Sequence, residues 1–199
     1  MKLQTNMNNL LLANIQKHLQ LEPAEEALIM SAFGVKKIRR KQFFVHEGDV
    51  SKYCAFVLSG CMRTYFVDAN GFEHILQFAI EDWWAADMMS FTTQQPGKLN
   101  IDALEPSELF ILSREKQLAL FDECPKFERY FRIITENGLI SQQSRIIENL
   151  SWPAIDRYQN FVNRYPQLVQ RLPQTLIASY IGITPEFLSK LRKQLSGKF

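Results

Sequence analysis

Thiols are scarce in this chain, and the few present are scattered. Cys54, Cys61 and Cys124 are an odd number and show no C-x-x-C spacing. Neither a disulfide framework nor a four-thiolate iron–sulfur cluster is expected from them. A cytoplasmic protein with reduced thiols is the simplest reading. Histidine is just as sparse, with His18, His46 and His74 isolated from one another. Each reads as a surface or turn residue rather than a haem ligand. A metal-dependent enzyme of the cupin type, the alternative enzymatic reading, needs a close His-x-His pair plus a Glu and another His. Glu47 directly follows His46, so strand alternation would turn it to the opposite side. No metal, no cofactor and no enzymatic activity are expected.

Long apolar runs are missing too. No stretch approaches the roughly 18 residues that a membrane span needs, so no membrane partner is expected. The opening MKLQTNMNNLLLANIQKHL has too short an apolar core and too many Asn and Gln for a secretory signal; it predicts an amphipathic helix. There is no linker rich in Gly, Ser or Pro, no internal repeat and no low-complexity segment. The net charge of +2 is too small to indicate a nucleic-acid partner by itself. What is present is a 46% hydrophobic, 22% charged composition over 199 residues. That suits a folded protein of one large or two small domains.

Along the chain, residues 10–19 and 25–33 have helical spacing, with Pro23 near the start of the second helix. Residues 36–45 mix β-branched, aromatic and basic side chains, as one half-exposed strand would. The basic cluster there reads as a solvated strand face rather than a nucleic-acid patch. Turns at His46-Glu47-Gly48-Asp49, Leu58-Ser59-Gly60 and Asp68-Ala69-Asn70-Gly71 separate apolar or alternating stretches. Asn70-Gly71 predicts a type I′ hairpin turn. Strands are expected at 55–58, 62–67, 74–80, 99–104 and 108–112. Short strands with closely spaced turns predict an antiparallel sandwich or barrel. Ser113 opens a helix without the acidic partner of a capping box. Pro125 then precedes a long helix over about 126–150, in which Ile133, Ile140 and Ile147 recur every seven residues. With Phe127, Ile134, Ile146 and Leu150 beside them, that stripe is wide enough to contact both its own β domain and a partner helix. Ser151-Trp152-Pro153 breaks the helix. A further helix is expected over 154–165, and Pro166 leads into 168–172.

The most informative stretch is Gln174 to Lys193. Thr175 is placed as an N-cap, with Leu176, Ile177, Tyr180 and Ile181 at helical spacing. Gly182 falls where the chain must reverse. Thr184-Pro185-Glu186 opens the next helix with a capping hydroxyl, a proline at its first position and an early acid. Ala178 is small where two helices would approach, and Ile177, Ile181, Ile183, Leu188 and Leu191 supply an interlocking set of apolar positions. This is the pattern of a DNA-binding helix-turn-helix, whose second helix enters the major groove. Ser189, Lys190, Arg192 and Lys193 are left pointing outward. With Lys198 they make a basic tail free of acids, suited to phosphate contacts.

Element order and motifs together resemble the Crp/Fnr family of transcription regulators, over most of the chain from about Ile15 onward. The matching residues in the β region are Phe44-x-x-Glu47-Gly48-Asp49, Phe56-Val57-Leu58-Ser59-Gly60, Arg63-x-Tyr65 and Asn70-Gly71. They continue through Gln77-Phe78, Asp82-Trp83-Trp84, Ala103-Leu104-Glu105 and Leu112-Ser113-Arg114, and Tyr165-Pro166 to Leu195 matches in the last third.

The resemblance implies an α+β chain in three parts. Residues 1–124 would be an antiparallel, jelly-roll-like β-roll sensor domain of the cyclic-nucleotide-binding type. Residues 125–150 would be the dimerisation helix, and residues 151–199 an all-α helix-turn-helix domain. The implied partners are double-stranded DNA with a palindromic operator, a second copy of the chain, a small-molecule effector and RNA polymerase. The implied DNA-binding set is Thr175, Thr184, Pro185, Glu186, Ser189, Lys190, Arg192 and Lys193. Where relatives carry Arg-Glu-x-x-x-Arg on the recognition helix, Pro185, Glu186 and Lys190 stand here, which implies a different operator. Phe199 follows soon after, so the β-hairpin wing of many relatives is expected to be missing.

In relatives that bind cyclic AMP, a Gly-Glu pair holds the ribose and an Arg followed by Ser or Thr neutralises the phosphate. The corresponding effector-pocket residues here are Ala86, Asp87 and Met88, then Lys98 and Leu99. No arginine stands at the phosphate position, and lysine lacks the bidentate fork. Cyclic AMP in the usual mode is therefore not expected. A sensor module that has lost DNA binding is the remaining alternative.

Overall fold

A computed structural model describes residues 10–196 of the chain. Residues 10–16 are helical (α1), and the start of the expected amphipathic helix lies outside the described residues. There follow α2 (Pro23–Ala32), β1 (Gly34–Ile38), β2 (Phe43–Val45), β3 (Tyr53–Ser59), β4 (Met62–Val67) and β5 (Glu73–Ala79). Next come β6 (Trp84–Ala85), α3 (Met88–Thr93), β7 (Asn100–Ala103), β8 (Ser107–Ser113) and α4 (Arg114–Glu123). The long α5 (Pro125–Ser151) leads to α6 (Ala154–Arg164), α7 (Pro166–Arg171), α8 (Gln174–Ile181) and α9 (Pro185–Ser196). The fold is α+β, with a jelly-roll-like pair of antiparallel sheets. One sheet has the order β1-β8-β3-β6, the other β2-β7-β4-β5.

Strand β3 shows why the sequence folds this way. Its burial runs exposed, five buried, exposed, because both of its faces are covered. Cys54, Phe56 and Leu58 point into a cluster with Leu11, Ile15, Ile29, Phe127 and Tyr130 from the flanking helices. Ala55 and Val57 point the other way, toward Met62, Ile101 and Ala103 of the opposing sheet. A strand covered on both faces must be continuously apolar, and each fully buried large side chain contributes about 1.5–3 kcal/mol. A hydrogen-bonded chain crosses the helical cluster, where Trp84 Nε1 donates to Tyr130 Oη at 3.0 Å and Tyr130 Oη donates to Asn14 Oδ1 at 2.5 Å.

All three thiols are buried, and burial pushes the Cys54 thiol up to about 12. Thiolate is the reactive form. Iodoacetamide at pH 8 should therefore leave the native protein unmodified and label all three cysteines once it is unfolded. Mass spectrometry reads the outcome directly, and rapid labelling of Cys54 in the native protein would contradict the packing described.

Three local expectations fail. The stretch 36–45 is two strands rather than one. Lys41 takes a positive φ of 65° and donates its N–H to Ala103 O at 2.7 Å. That corner sends β1 and β2 into different sheets, a change of partner that residue types alone do not signal. The Asn70-Gly71 turn is not type I′, since Asn70 has no positive φ while Gly71 sits at 84°. Asp68 decides this: its carbonyl accepts from Gly71 N, and its Oδ1 accepts from Asn70 N and Phe72 N. The result is a type I turn followed by a left-handed glycine. Thr175 is not an N-cap; Pro173 holds that place, and its carbonyl accepts from Leu176 N and Ile177 N.

The chain divides into two compact units. Of the described residues, one unit holds 10–66 and 76–136, the other 67–75 and 137–196. Helix α5 thus belongs to both, and the hairpin tip 67–75 is grouped with the C-terminal helices. Ser179 Oγ donates to Glu73 O at 2.7 Å and accepts from Ile75 N at 3.2 Å. Among the described residues, no helix is long and apolar enough to cross a membrane.

Candidate nucleic-acid interface

Helix α8 ends where Gly182 enters the left-handed region at φ 71°, ψ 41°. Gly182 N donates to Ser179 O at 3.2 Å and Ile183 N to Ala178 O at 3.0 Å. These are the two bonds of a Schellman motif, closed by the residue that takes positive φ without strain. Two residues, Ile183 and Thr184, separate Gly182 from the start of helix α9 at Pro185. Thr184 Oγ1 accepts from Phe187 N at 3.2 Å, Pro185 occupies the first helical position, and Glu186 lies in the first turn.

Packing between the helices fixes which face of α9 is free. Ile177, Ala178, Ile181, Leu188 and Leu191 are all buried, while Ile183 is only half-buried. Glu186, Ser189, Lys190 and Lys193 follow one another at steps of three, one and three. They form a single exposed stripe opposite Leu188 and Leu191. Phe187, 47% exposed, flanks it on one side and Arg192 on the other. Thr175, Thr184 and Pro185 are exposed as well. Lys198 lies outside the described residues.

The residues of the expected effector pocket lie at the start of α3 and in the loop after it. Asp87 is 1% exposed and serves as the N-cap of α3, its Oδ1 accepting from Ser90 N at 3.0 Å. Its Oδ2 is buried and finds no hydrogen bond among the described residues. A Cβ built on Gly97 would lie 2.2 Å from that oxygen, so the 94–98 loop comes directly over the carboxylate. Lys98 and Met88 are exposed, Ala86 and Leu99 half-buried. Asp87 and the loop are thus brought together, while the Lys98 ammonium stays in solvent.

The histidines do not converge. His74 Nε2 is 2.9 Å from Asp68 Oδ2, and this contact leads the causes that hold the Asp68 carboxyl below its usual range. His46 Nδ1 lies 3.2 Å from Glu47 O. Among the described residues, no group of three His, Cys, Asp or Glu side chains is placed to hold a metal.

One feature escaped the sequence reading altogether. Arg145, Arg157 and Arg164 line a cleft within the second unit, together with Glu148, Asn160 and Tyr180. A signal existed: Arg157, Asn160, Phe161 and Arg164 share the i, i+3, i+4, i+7 spacing of one helix face. Without the neighbouring α5 and α8, that face has nothing to form a cleft with.

Two packed sheets, a long helix and a terminal helix-turn-helix follow one another along the chain. Residues 35–124 match the cyclic nucleotide-binding domain family, and the chain as a whole has the fold of Crp/Fnr regulators. FixK2 from Bradyrhizobium japonicum is 16% identical with a TM-score of 0.74, over 83% of this chain and 85% of that one. The c-di-GMP-responsive global regulator CLP from Xanthomonas campestris is 13% identical with a TM-score of 0.70, over 89% and 93%. The Thermus thermophilus catabolite activator protein is 21% identical with a TM-score of 0.57, over 89% and 85%. No curated protein matches the sequence.

Proposed function

We propose that the chain is a dimeric, sequence-specific DNA-binding transcription regulator of the Crp/Fnr type, working in the cytoplasm. The exposed stripe Glu186, Ser189, Lys190 and Lys193, held rigid by the buried face behind it, is the observation that carries this reading. Glu186 can accept from a cytosine amino group, and Lys190 can donate to the N7 and O6 acceptors of guanine. Lys193 and Arg192 lie where phosphates flank the groove. Seam residues of α5 join two copies, setting the two α9 helices about 34–36 Å apart on a palindromic operator. The operator-bound dimer is the form that would meet RNA polymerase.

Selection of binding sites from random DNA, followed by Lys190→Ala, tests the reading. The variant should fold normally, lose about 1–3 kcal/mol on the selected site and accept other bases at one position of each half-site. Equal affinity and equal preference would remove the base contact, and failure of the wild type to select any site would remove DNA binding itself.

The effector is a small molecule other than cyclic AMP bound in the usual mode. Asp87 is committed to capping α3, and the phosphate position has no guanidinium. Cyclic AMP should therefore not raise the melting temperature of the protein. A saturable rise at micromolar nucleotide would overturn this.

A further inference from the structure

We propose that the cleft between α5, α6 and the last turn of α8 binds a small molecule through a phosphate or pyrophosphate group. Three guanidiniums and one carboxylate, Glu148, line it. None of the three arginines has a carboxylate within 4 Å among the described residues. Each is instead held in place by neutral groups. Arg145 donates to Ile75 O at 3.2 Å and lies over the Tyr180 ring at 4.6 Å. Arg157 donates to Asn149 O at 3.3 Å, and Arg164 to Ser141 Oγ at 3.1 Å.

The second observation is independent of charge. The Nε–H groups of Arg145 and Arg157 are buried and find no acceptor among the described residues. A buried donor without a partner is costly, and native structures rarely leave one unless something else meets it. An oxyanion does so, and the fork of a guanidinium matches phosphate oxygens in pairs. A net excess of two positive charges favours a multiply charged phosphate over a single carboxylate. Tyr180, whose hydroxyl burial pushes up to about 12, remains neutral beside it and adds no opposing charge.

The occupant is a small molecule rather than the DNA backbone. No residue of α9, and none from the N-terminal half of α8, lines the cleft. These are the parts of a helix-turn-helix that meet a duplex. The site lies within a single compact unit, and its existence does not depend on the DNA-binding reading.

The test titrates the full chain with inorganic pyrophosphate at constant ionic strength, following the arginine Nε–Hε signals by nitrogen-edited NMR. The Arg145 and Arg157 signals should shift saturably. Arg157→Gln and Arg164→Gln should each weaken pyrophosphate about tenfold or more, while Lys193→Gln on α9 leaves it unchanged. The wild-type titration stands alone if a variant fails to fold. Absence of a saturable shift, or equal binding by both arginine variants, overturns the proposal. So does a loss of pyrophosphate binding in Lys193→Gln, which would place the anion on the recognition helix. In the absence of pyrophosphate, Arg164→Gln should bind the selected DNA as wild type does; a weakening equal to that of Lys193→Gln would assign the cleft to a DNA phosphate instead.

Discussion

Replacing Ile140 and Ile147 together with glutamate should leave the chain monomeric and cut operator affinity by about a hundredfold or more. Along α5 the apolar residues Leu139, Ile140, Ile146, Ile147 and Leu150 are 58, 60, 56, 61 and 83% exposed. Such a contiguous patch marks an interaction surface. Ile140 and Ile147 are one heptad apart, as are Leu139 and Ile146, and Leu150 follows Ile147 by three. That is the spacing of a seam between two parallel helices. Two glutamates per chain would put four like charges into that seam. A monomer would then hold only one half-site and lose the second contact made at high effective concentration. Light scattering reads the oligomeric state and gel retardation the affinity. A double variant that stays dimeric with unchanged DNA binding would show that copies join elsewhere. In the upper part of the same helix, Phe127, Tyr130 and Phe131 are buried in the β-roll unit's own core, so the substitutions leave that core untouched.

The second large effect concerns stability. Asp102→Ala should destabilise the β-roll unit by about 3–5 kcal/mol, lowering the melting temperature by roughly 10 °C. Arg63 and Asp102 face each other across β4 and β7. Two parallel bonds join them, Nε to Oδ1 at 2.8 Å and Nη2 to Oδ2 at 2.9 Å. Their side chains are only 12% and 8% exposed, and the guanidinium also lies over the Tyr65 ring at 4.1 Å. Removing the carboxylate leaves a buried cation with its strongest partner gone, which costs far more than the pair itself contributes. The double substitution Arg63→Met with Asp102→Leu should therefore recover most of the loss, since both charges go together. Calorimetry on the three proteins decides the matter. A single variant within 1 kcal/mol of wild type would mean that solvent reaches Arg63.

Residue type and period alone determined much of this protein. Short apolar stretches between closely spaced turns announced the strands of an antiparallel sandwich or barrel. The heptad of Ile133, Ile140 and Ile147 announced a long helix with a surface to spare. Gly182 and the Thr184-Pro185-Glu186 start announced the turn and the second helix of the interface, because positive φ, a fixed proline φ and a capping hydroxyl act over a few residues. The tertiary structure decided whatever depends on partners distant in sequence. Lys41 turns between sheets because Ala103, more than sixty positions on, accepts its N–H. Asp87 caps α3 beneath Gly97 because the intervening loop folds back over it. Arg145, Arg157 and Arg164 share a cleft only because α5, α6 and α8 pack together, and side chains on separate helices carry no common period by which they could be found.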